Sequence, residues 1–305
     1  MIQDIAPKKL LNEYRPDAVP DDNSIVCFIQ NGTIALLANH TGFASDKDAA
    51  AQNADSLPEF EALALPTWSD CCRSNSAPKD PTYLFSIDNT SWFLADRKAS
   101  IPARCVSVKV RELRSIARSK EDDLVVFGAY TALQLANWYR DNRFCGTCGS
   151  KTVLGTKERS IICPDCGRTI YPRIIPAVIV GITDGDRLLH TRYAAGRGVR
   201  MYALVAGFTE IGETLEETVA REAYEEVGLR VKNIRYFKSQ PWGIVDDILA
   251  GFYCDVDGSP EITLDREELK EAVWIPRDEI VGQPNDYSLT HHMMMTFRDG
   301  KEPKA

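Results

Sequence analysis

The stretch from Gly207 to Leu229, GFTEIGETLEETVAREAYEEVGL, leaves the chain little freedom of local structure. Thr214 followed three residues later by Glu217 is a capping box, so a helix is predicted to begin at Leu215, and Gly228 is placed to end it in the left-handed conformation. At about 100° per residue, Glu222, Glu225 and Glu226 fall on one face. Ala220, Tyr224 and Val227 fall on the opposite face, where they can pack on a sheet. Three carboxylates then converge on one small volume. Like charges repel there, and carboxylate oxygen suits hard cations, so Mg²⁺ or Mn²⁺ is the expected occupant. Arg221 can pair with Glu213 or Glu225 and hold the preceding loop against the helix. A solvated acidic face is the ordinary reading of such a run, but it has no use for the glycine loop, the arginine and Glu213 at that offset together.

The four cysteines of FCGTCGSKTVLGTKERSIICPDCGR form a second constraint: Cys145 and Cys148, a gap of fourteen residues, then Cys163 and Cys166, each pair followed by glycine. This is the pattern of a zinc ribbon. Four thiolates leave no open coordination position, so the Zn²⁺ is expected to be structural rather than catalytic. Two disulfides are the alternative, one that a cytosolic chain disfavours. The other five cysteines read as buried or incidental thiols.

A chain of 305 residues is long enough for two domains with their own cores. The balance of 36 basic against 44 acidic residues, a net charge of −8, argues against general electrostatic capture of nucleic acid, though a local basic patch is compatible with it. No apolar run approaches the ~20 residues that span a bilayer, and the first residues lack the apolar core of a secretory signal. A soluble cytoplasmic protein without membrane contact is expected.

Short segments rich in β-branched and aromatic residues, SIVCFIQ, TIALLA, TYLFSI, SWFLA and CVSVKV, are separated by turn-forming residues and predict a β-rich N-terminal domain over residues 1–129. Ser45 to Asp55 reads as a loop and 111–120 as a short helix. A connecting helix is predicted over 130–142, the ribbon over 143–172, and from 173 to 305 a run of strands around the acidic helix with a late helix at THHMMMTF. The fold class is α/β: an α/β/α sandwich with a mixed sheet, preceded by the four-cysteine ribbon and the β-rich domain.

At every fixed position, Gly207, Glu213, Arg221, Glu222, Glu225, Glu226 and Gly228 resemble the signature of the Nudix hydrolase superfamily. The ribbon directly before it, Tyr171-Pro172-Arg173, and Ser239-Gln240-Pro241-Trp242 after it resemble the NADH pyrophosphatase (NAD⁺ diphosphatase) branch over about residues 125 to 300. The resemblance implies hydrolysis of the diphosphate of NAD(H), a small dinucleotide, to nicotinamide mononucleotide and AMP. Some members also remove NAD caps from RNA, and two-domain members are homodimers. It implies Glu222, Glu225 and Glu226, with Glu268, as metal ligands, and Arg221 and Glu213 as further catalytic residues. Phe208, Tyr171, Glu158, Gln240 and Trp242 are implied on the substrate. Plainer alternatives stand beside them for all but Gln240: a core aromatic for Phe208, Tyr171 and Trp242, a surface acid for Glu158, and a solvated helix face for Glu268 beside Glu267 and Glu271. His190, His291 and His292 are weaker candidates for a catalytic base.

One segment departs from the branch. Where its signature continues as Pro-Phe-Pro-x-Ser, this chain reads Gly243-Ile244-Val245-Asp246-Asp247, which places Asp247 beside an anionic substrate. That motivates a second reading, a Nudix hydrolase of another nucleotide such as ADP-ribose or a dinucleoside polyphosphate; a reading of a different class, a non-catalytic nucleotide- or RNA-binding zinc-ribbon protein, is kept beside it, although the intact set of Glu222, Glu225 and Glu226 argues against it.

Overall fold

The β-branched runs of the N-terminal half become strands where the sequence predicts them. The computed structural model describes residues 1–38, 60–194 and 201–305. The loop expected at Ser45 to Asp55 lies outside the described residues. Leu10–Leu11, Thr82–Ile87, Thr90–Leu94 and Ile25–Cys27 form one sheet in that order, and Ile29–Gln30, Thr33–Leu37 and Cys105–Lys109 form a second. The chain divides into two units: Asp4–Arg173 with Gly243–Val245, and Ile174–Trp242 with Asp246–Ala305 and Met1–Gln3. The expected segments 1–129, 130–142 and 143–172 thus fall in one unit, apart from Met1–Gln3.

The connecting helix begins ten residues earlier than expected and runs over Lys120–Asp141. Its start is set by a capping box that the apolar pattern does not reveal: Ser119 accepts from the Asp122 backbone N–H, and the Asp122 carboxylate accepts from the Ser119 N–H. The Asp122 carboxylate also takes the backbone N–H groups of Leu63 at 2.6 Å and Arg118 at 2.7 Å, which is how a carboxylate is accommodated in this interior.

In the second unit a six-stranded mixed sheet is built around Ile175–Asp184. This strand runs parallel to Asp247–Val256 and antiparallel to its other neighbours. It also changes partners along its length, pairing Ala177 to Val180 with Val205–Phe208 and Thr183 to Asp184 with Arg187–Tyr193. Side chains alternate across the pleat. Val178, Val180 and Ile182 join the core under the helix Leu215–Val227, whereas Ile179 joins the core under the C-terminal helix Leu289–Arg298. The sheet is therefore covered by one helix on each face, the α/β/α sandwich the sequence predicts.

The acidic helix begins at Leu215 behind the Thr214 capping box and ends at Gly228 with φ 70°. The Gly228 and Leu229 N–H groups return to the Tyr224 and Ala223 carbonyls. Its packing stripe is not the predicted one. Val219, Ala223 and Val227 are buried, while Ala220 is exposed and Tyr224 is 60% exposed. The stripe is rotated because Glu222 and Glu226 are also drawn inward, and the i, i+4, i+8 row beside them carries the apolar contact. Burying each valine contributes about 1.5–3 kcal/mol.

No helix among the described residues is long and apolar enough to cross a membrane. His190 is 1% exposed on the strand Arg187–Tyr193, its ring 5.7 Å from that of Tyr202, and neither ring nitrogen has a hydrogen-bond partner among the described residues. It is a core residue rather than a catalytic base. Burial holds its pKa down at about 4. The unfolded chain accepts a proton near pH 6.5 that the folded chain refuses. Its contribution to stability is therefore fully present above about pH 6.5 and is lost as pH falls toward about 4. Denaturant midpoints are expected to fall more steeply between about pH 7 and pH 5 for the parent than for His190→Gln; equal slopes would contradict the assignment.

Candidate active site and metal centre

Two sites with different donor chemistry stand in the two units. In the first, the Cys145–Cys148 and Cys163–Cys166 turns are built alike. The Gly149 N–H donates to the Cys145 carbonyl at 2.8 Å and the Gly167 N–H to the Cys163 carbonyl at 3.0 Å, with both glycines at positive φ. The Thr147 N–H points at the Cys145 Sγ, 3.4 Å away. All four Sγ atoms lie within 4.8 Å of one another, with Cys145 to Cys166 at 3.6 Å and Cys148 to Cys163 at 3.4 Å. Sulfurs about 2.3 Å from a tetrahedral zinc stand about 3.8 Å apart, so the set fits Zn²⁺. All nine cysteines are free thiols, which removes the disulfide alternative. The four-cysteine group is a closed structural zinc site, and among the described residues no other His, Cys, Asp and Glu group is gathered as tightly.

The second site is organised by Arg221. Its Nε and Nη2 grip both carboxylate oxygens of Glu213 at 2.6 and 3.0 Å, Nη1 donates to Glu222 at 2.7 Å and to Glu225 at 2.9 Å, and Nη2 also donates to the Phe208 carbonyl at 2.9 Å. The sequence left a choice between Glu213 and Glu225; the guanidinium takes both, because its fork offers five N–H donors. Glu213 also accepts from the Glu210 N–H and the Thr218 hydroxyl, each at 3.0 Å. Arg221 first, then these bonds, hold the Glu213 carboxyl down at about 2. With its lone pairs engaged, Glu213 is a brace. Thr218 was not foreseen, and the only sequence signal for it is its place one turn into the helix, facing the loop.

The carboxylates expected to hold a metal lie, Glu268 apart, on the helix Leu215–Val227 itself. Glu222 and Glu226 are buried and Glu225 is exposed. Burial raises the Glu222 pKa; Arg221 opposes this, and the charges of Glu225 and Glu268 add to it. Glu268 therefore belongs to the same electrostatic neighbourhood, although it lies in the turn ahead of the strand Leu269–Pro276 and not on a helix face. Its rivals are elsewhere engaged or exposed: Glu271 is 3.5 Å from Arg192, and Glu267 faces solvent. A buried carboxyl raised by neighbouring negative charge is the setting a divalent cation relieves, so the oxygen donors fit the hard metal implied for this site. Gly207 makes the approach possible. A Cβ there would lie 1.9 Å from the Glu222 Oε1 and 2.0 Å from its Cδ.

The remaining candidates separate. Phe208 ends its strand 49% exposed, a free aromatic face beside the Arg221 brace. Tyr171 and Glu158 lie in the other unit and pair with each other, the Tyr171 hydroxyl donating to Glu158 at 2.9 Å. Trp242 and Asp247 face each other across the turn 243–246 that joins strands Val231–Trp242 and Asp247–Val256. Gln240 corrects an expectation: it is fully buried, and its amide group donates to the Tyr287 carbonyl at 2.7 Å and accepts from the Leu289 N–H at 2.7 Å. Its second amide hydrogen goes to the Gln3 Oε1 at 3.1 Å, so it supports the start of the C-terminal helix and has no donor left for a ligand. Asp247 is 4% exposed, its Oδ1 lacks a hydrogen-bond partner among the described residues, and burial first, then the charge of Asp246, lift its carboxyl to about 7.

Residues 173–295 match the NUDIX domain, and residues 140–171 match the NADH pyrophosphatase zinc ribbon domain. The NAD-capped RNA hydrolase NudC of Pectobacterium atrosepticum is 38% identical over 174 residues, which cover 57% of this chain and 66% of that protein. The protein of the same name from Photobacterium profundum is 41% identical over 152 residues, 49% of this chain and 55% of that protein. The chain thus spans less than two thirds of the length of these curated relatives. Among solved structures, a NUDIX hydrolase from Nitrosomonas europaea aligns with a TM-score of 0.45 and 22% identity, over 52% of this chain and 92% of that one.

Metal analysis is expected to return one zinc per chain, lost in Cys163→Ser together with the fold of the ribbon. Gly207→Ala is expected to push the Glu222 carboxylate aside and weaken Mn²⁺ binding by about tenfold or more, read by electron paramagnetic resonance titration, while the unfolding midpoint barely moves. Unchanged Mn²⁺ affinity in that variant would remove the role given to the Gly207–Glu222 contact.

Proposed function

For a chain that carries a NUDIX domain over residues 173–295 directly behind an NADH pyrophosphatase zinc ribbon domain over 140–171, we propose metal-dependent hydrolysis of the diphosphate of NAD(H), free or as the cap of an RNA, to nicotinamide mononucleotide and AMP or the AMP-ended RNA. The observation that carries this reading is the Arg221 brace, which aims Glu222 and Glu225 from one helical turn beside the exposed ring of Phe208. The domain limits 1–129, 130–142, 143–172 and 173–305 are retained as the proposed organisation. A cytoplasmic homodimer is the proposed state, supported by the nine free thiols and by the resemblance to two-domain members of the branch.

Glu222, Glu225, Glu226 and Glu268 are the residues that would hold Mg²⁺ or Mn²⁺. The bound cation supplies charge neutralisation at the phosphoryl oxygens and a more acidic water. The protein's own part is position and proton transfer. Arg221 fixes the rotamers of Glu222 and Glu225, and one carboxylate of the set accepts a proton from the attacking water. Phe208 offers a stacking face to a flat ring, worth on the order of 1 kcal/mol; Trp242 in the same unit, and Tyr171 and Glu158 in the other, are each kept as proposed substrate-binding residues. Asp247 is compatible with an anionic dinucleotide because a carboxyl near pKa 7 carries only part of its charge at neutral pH.

The turn at Gly243 to Asp247 favours one second reading, a Nudix hydrolase of ADP-ribose or a dinucleoside polyphosphate. Product analysis with NADH, ADP-ribose and diadenosine polyphosphates decides: AMP and nicotinamide mononucleotide from NADH as the best substrate is the expected result, and turnover of another nucleotide with NADH untouched would replace it. Glu225→Gln is expected to lower kcat by about 10² or more with NADH binding retained. With Asp247 as a proposed substrate-binding residue, KM is expected to rise as pH passes through about 7 and the carboxylate becomes charged, and Asp247→Ser is expected to flatten that profile.

A further inference from the structure

Between the C-terminal end of the helix Lys120–Asp141 and the first hairpin of the ribbon lies an open groove of about 340 Å³, lined by Tyr139, Arg143, Lys151, Val153, Leu154 and Ile161. Phe144 and Lys151 face each other across an antiparallel bridge, and the Arg143 guanidinium lies over the Phe144 ring, 5.8 Å from its centroid. Phe144, Val153 and Leu154 are exposed, and so are both cations. Neither Arg143 nor Lys151 pairs with a carboxylate among the described residues.

The charge of this region is opposite to that of the whole. Residues 140–173 hold seven basic against three acidic residues, a balance of +4 that four thiolates and one Zn²⁺ reduce to +2, in a chain with a net charge of −8. Some of the other basic residues are already spent within the fold: Arg140 pairs with Asp141, Arg159 donates to the Leu84 carbonyl, and Arg168 donates to the Thr147 hydroxyl. Of the two cations left at the groove, Arg143 lies over the exposed ring of Phe144 beside it, and the half-buried Tyr139 is part of the groove's lining. Mobile cations that track a phosphate backbone next to aromatic faces that accept any base are the two parts of a sequence-tolerant single-strand site. An acidic peptide would use the charges but has no use for the rings, and a membrane surface would need a broader basic face than two residues.

We propose that this groove binds single-stranded RNA, with Arg143 and Lys151 on its phosphates and Phe144 and Tyr139 against its bases. The inference rests on the reading of a capped RNA as substrate, and gives that RNA a holding site on the ribbon separate from the carboxylates that cut the diphosphate. The groove would lower KM for capped RNA and leave free NADH, which has no RNA body, unaffected.

The test uses the full zinc-loaded chain. Fluorescence anisotropy with an uncapped single-stranded RNA of about 20 nucleotides is read alongside hydrolysis of NADH and of the same RNA bearing an NAD cap. Arg143→Glu with Lys151→Glu is expected to weaken RNA binding about tenfold or more and to raise KM for the capped RNA with kcat held. It should also reduce the salt slope of binding by about 1.4, while NADH kinetics and zinc content stay at parent values. Arg143→Lys with Lys151→Arg is expected to keep most of the affinity. RNA binding unchanged in the folded, zinc-loaded charge-reversal variant overturns the inference, and so does a parent that binds polyglutamate more tightly than RNA. A parent that binds RNA through these residues but hydrolyses no NAD substrate would leave the groove standing and overturn the proposed function instead.

Discussion

The guanidinium of Arg221 is the contact on which the half that carries the acidic helix depends. It uses five N–H donors on five acceptors drawn from three places in the chain: the end of a strand at Phe208, the loop at Glu213, and the helix at Glu222 and Glu225. Carboxylates crowded within one helical turn repel one another, and without a fixed positive charge among them the loop would splay from the helix. Because Glu213 answers with both oxygens, the loop is held in orientation as well as in place. The approach works only because Gly207 lacks a side chain at the point where Glu222 turns in. Strand, loop and helix are thus one unit around a single cation.

The ribbon solves a different problem with different chemistry. Its strands are two residues each, Val153–Leu154, Ile161–Ile162 and Thr169–Ile170, too short to form an apolar core of their own. Four converging thiolates replace that core, and the closed sulfur set leaves no position for a reactant. The acidic site is the reverse: oxygen donors, a strained charge balance at Glu222, and an exposed Glu225. One part of the chain closes its donors around a metal and the other leaves carboxylates of a helical turn open to solvent at Glu225. The ribbon's surface carries exposed cations, Arg143 just ahead of the first cysteine pair and Lys151 between the two pairs.

Much of this was legible from residues alone, for identifiable reasons. Helix limits at Thr214 and Gly228 were readable because caps act within a few residues of backbone, and the strands were readable because β-branched runs carry their own periodicity. The long helix was misjudged at its start because Ser119 and Asp122 cap it ahead of the apolar stripe, where periodicity is silent. The packing stripe of the acidic helix was misplaced because periodicity offers several candidate rows, and the contact with the sheet chose Val219, Ala223 and Val227 over Ala220 and Tyr224. Gln240 stood in a motif that resembles a substrate loop, yet its amide is consumed by the start of the C-terminal helix, a contact between residues 49 apart in sequence. Glu268 could be told from Glu267 and Glu271 only through the neighbours each one meets.

By itself the sequence determined the local devices: which residues cap, which four thiols gather, which carboxylates share a helical turn, and that a cation-seeking cluster follows a zinc-seeking one. These follow from covalent spacing and backbone geometry, which do not depend on distant parts of the chain. Tertiary structure decided what those residues do once in place. It made Glu213 a brace and Glu222 a carboxyl with a raised pKa, buried Asp247 until its charge became sensitive to pH near 7, and left Arg143, over the Phe144 ring, and Lys151 without a carboxylate partner among the described residues. Burial, desolvation and the identity of a hydrogen-bond partner belong to the packed molecule, because they depend on atoms that the chain brings together only by folding.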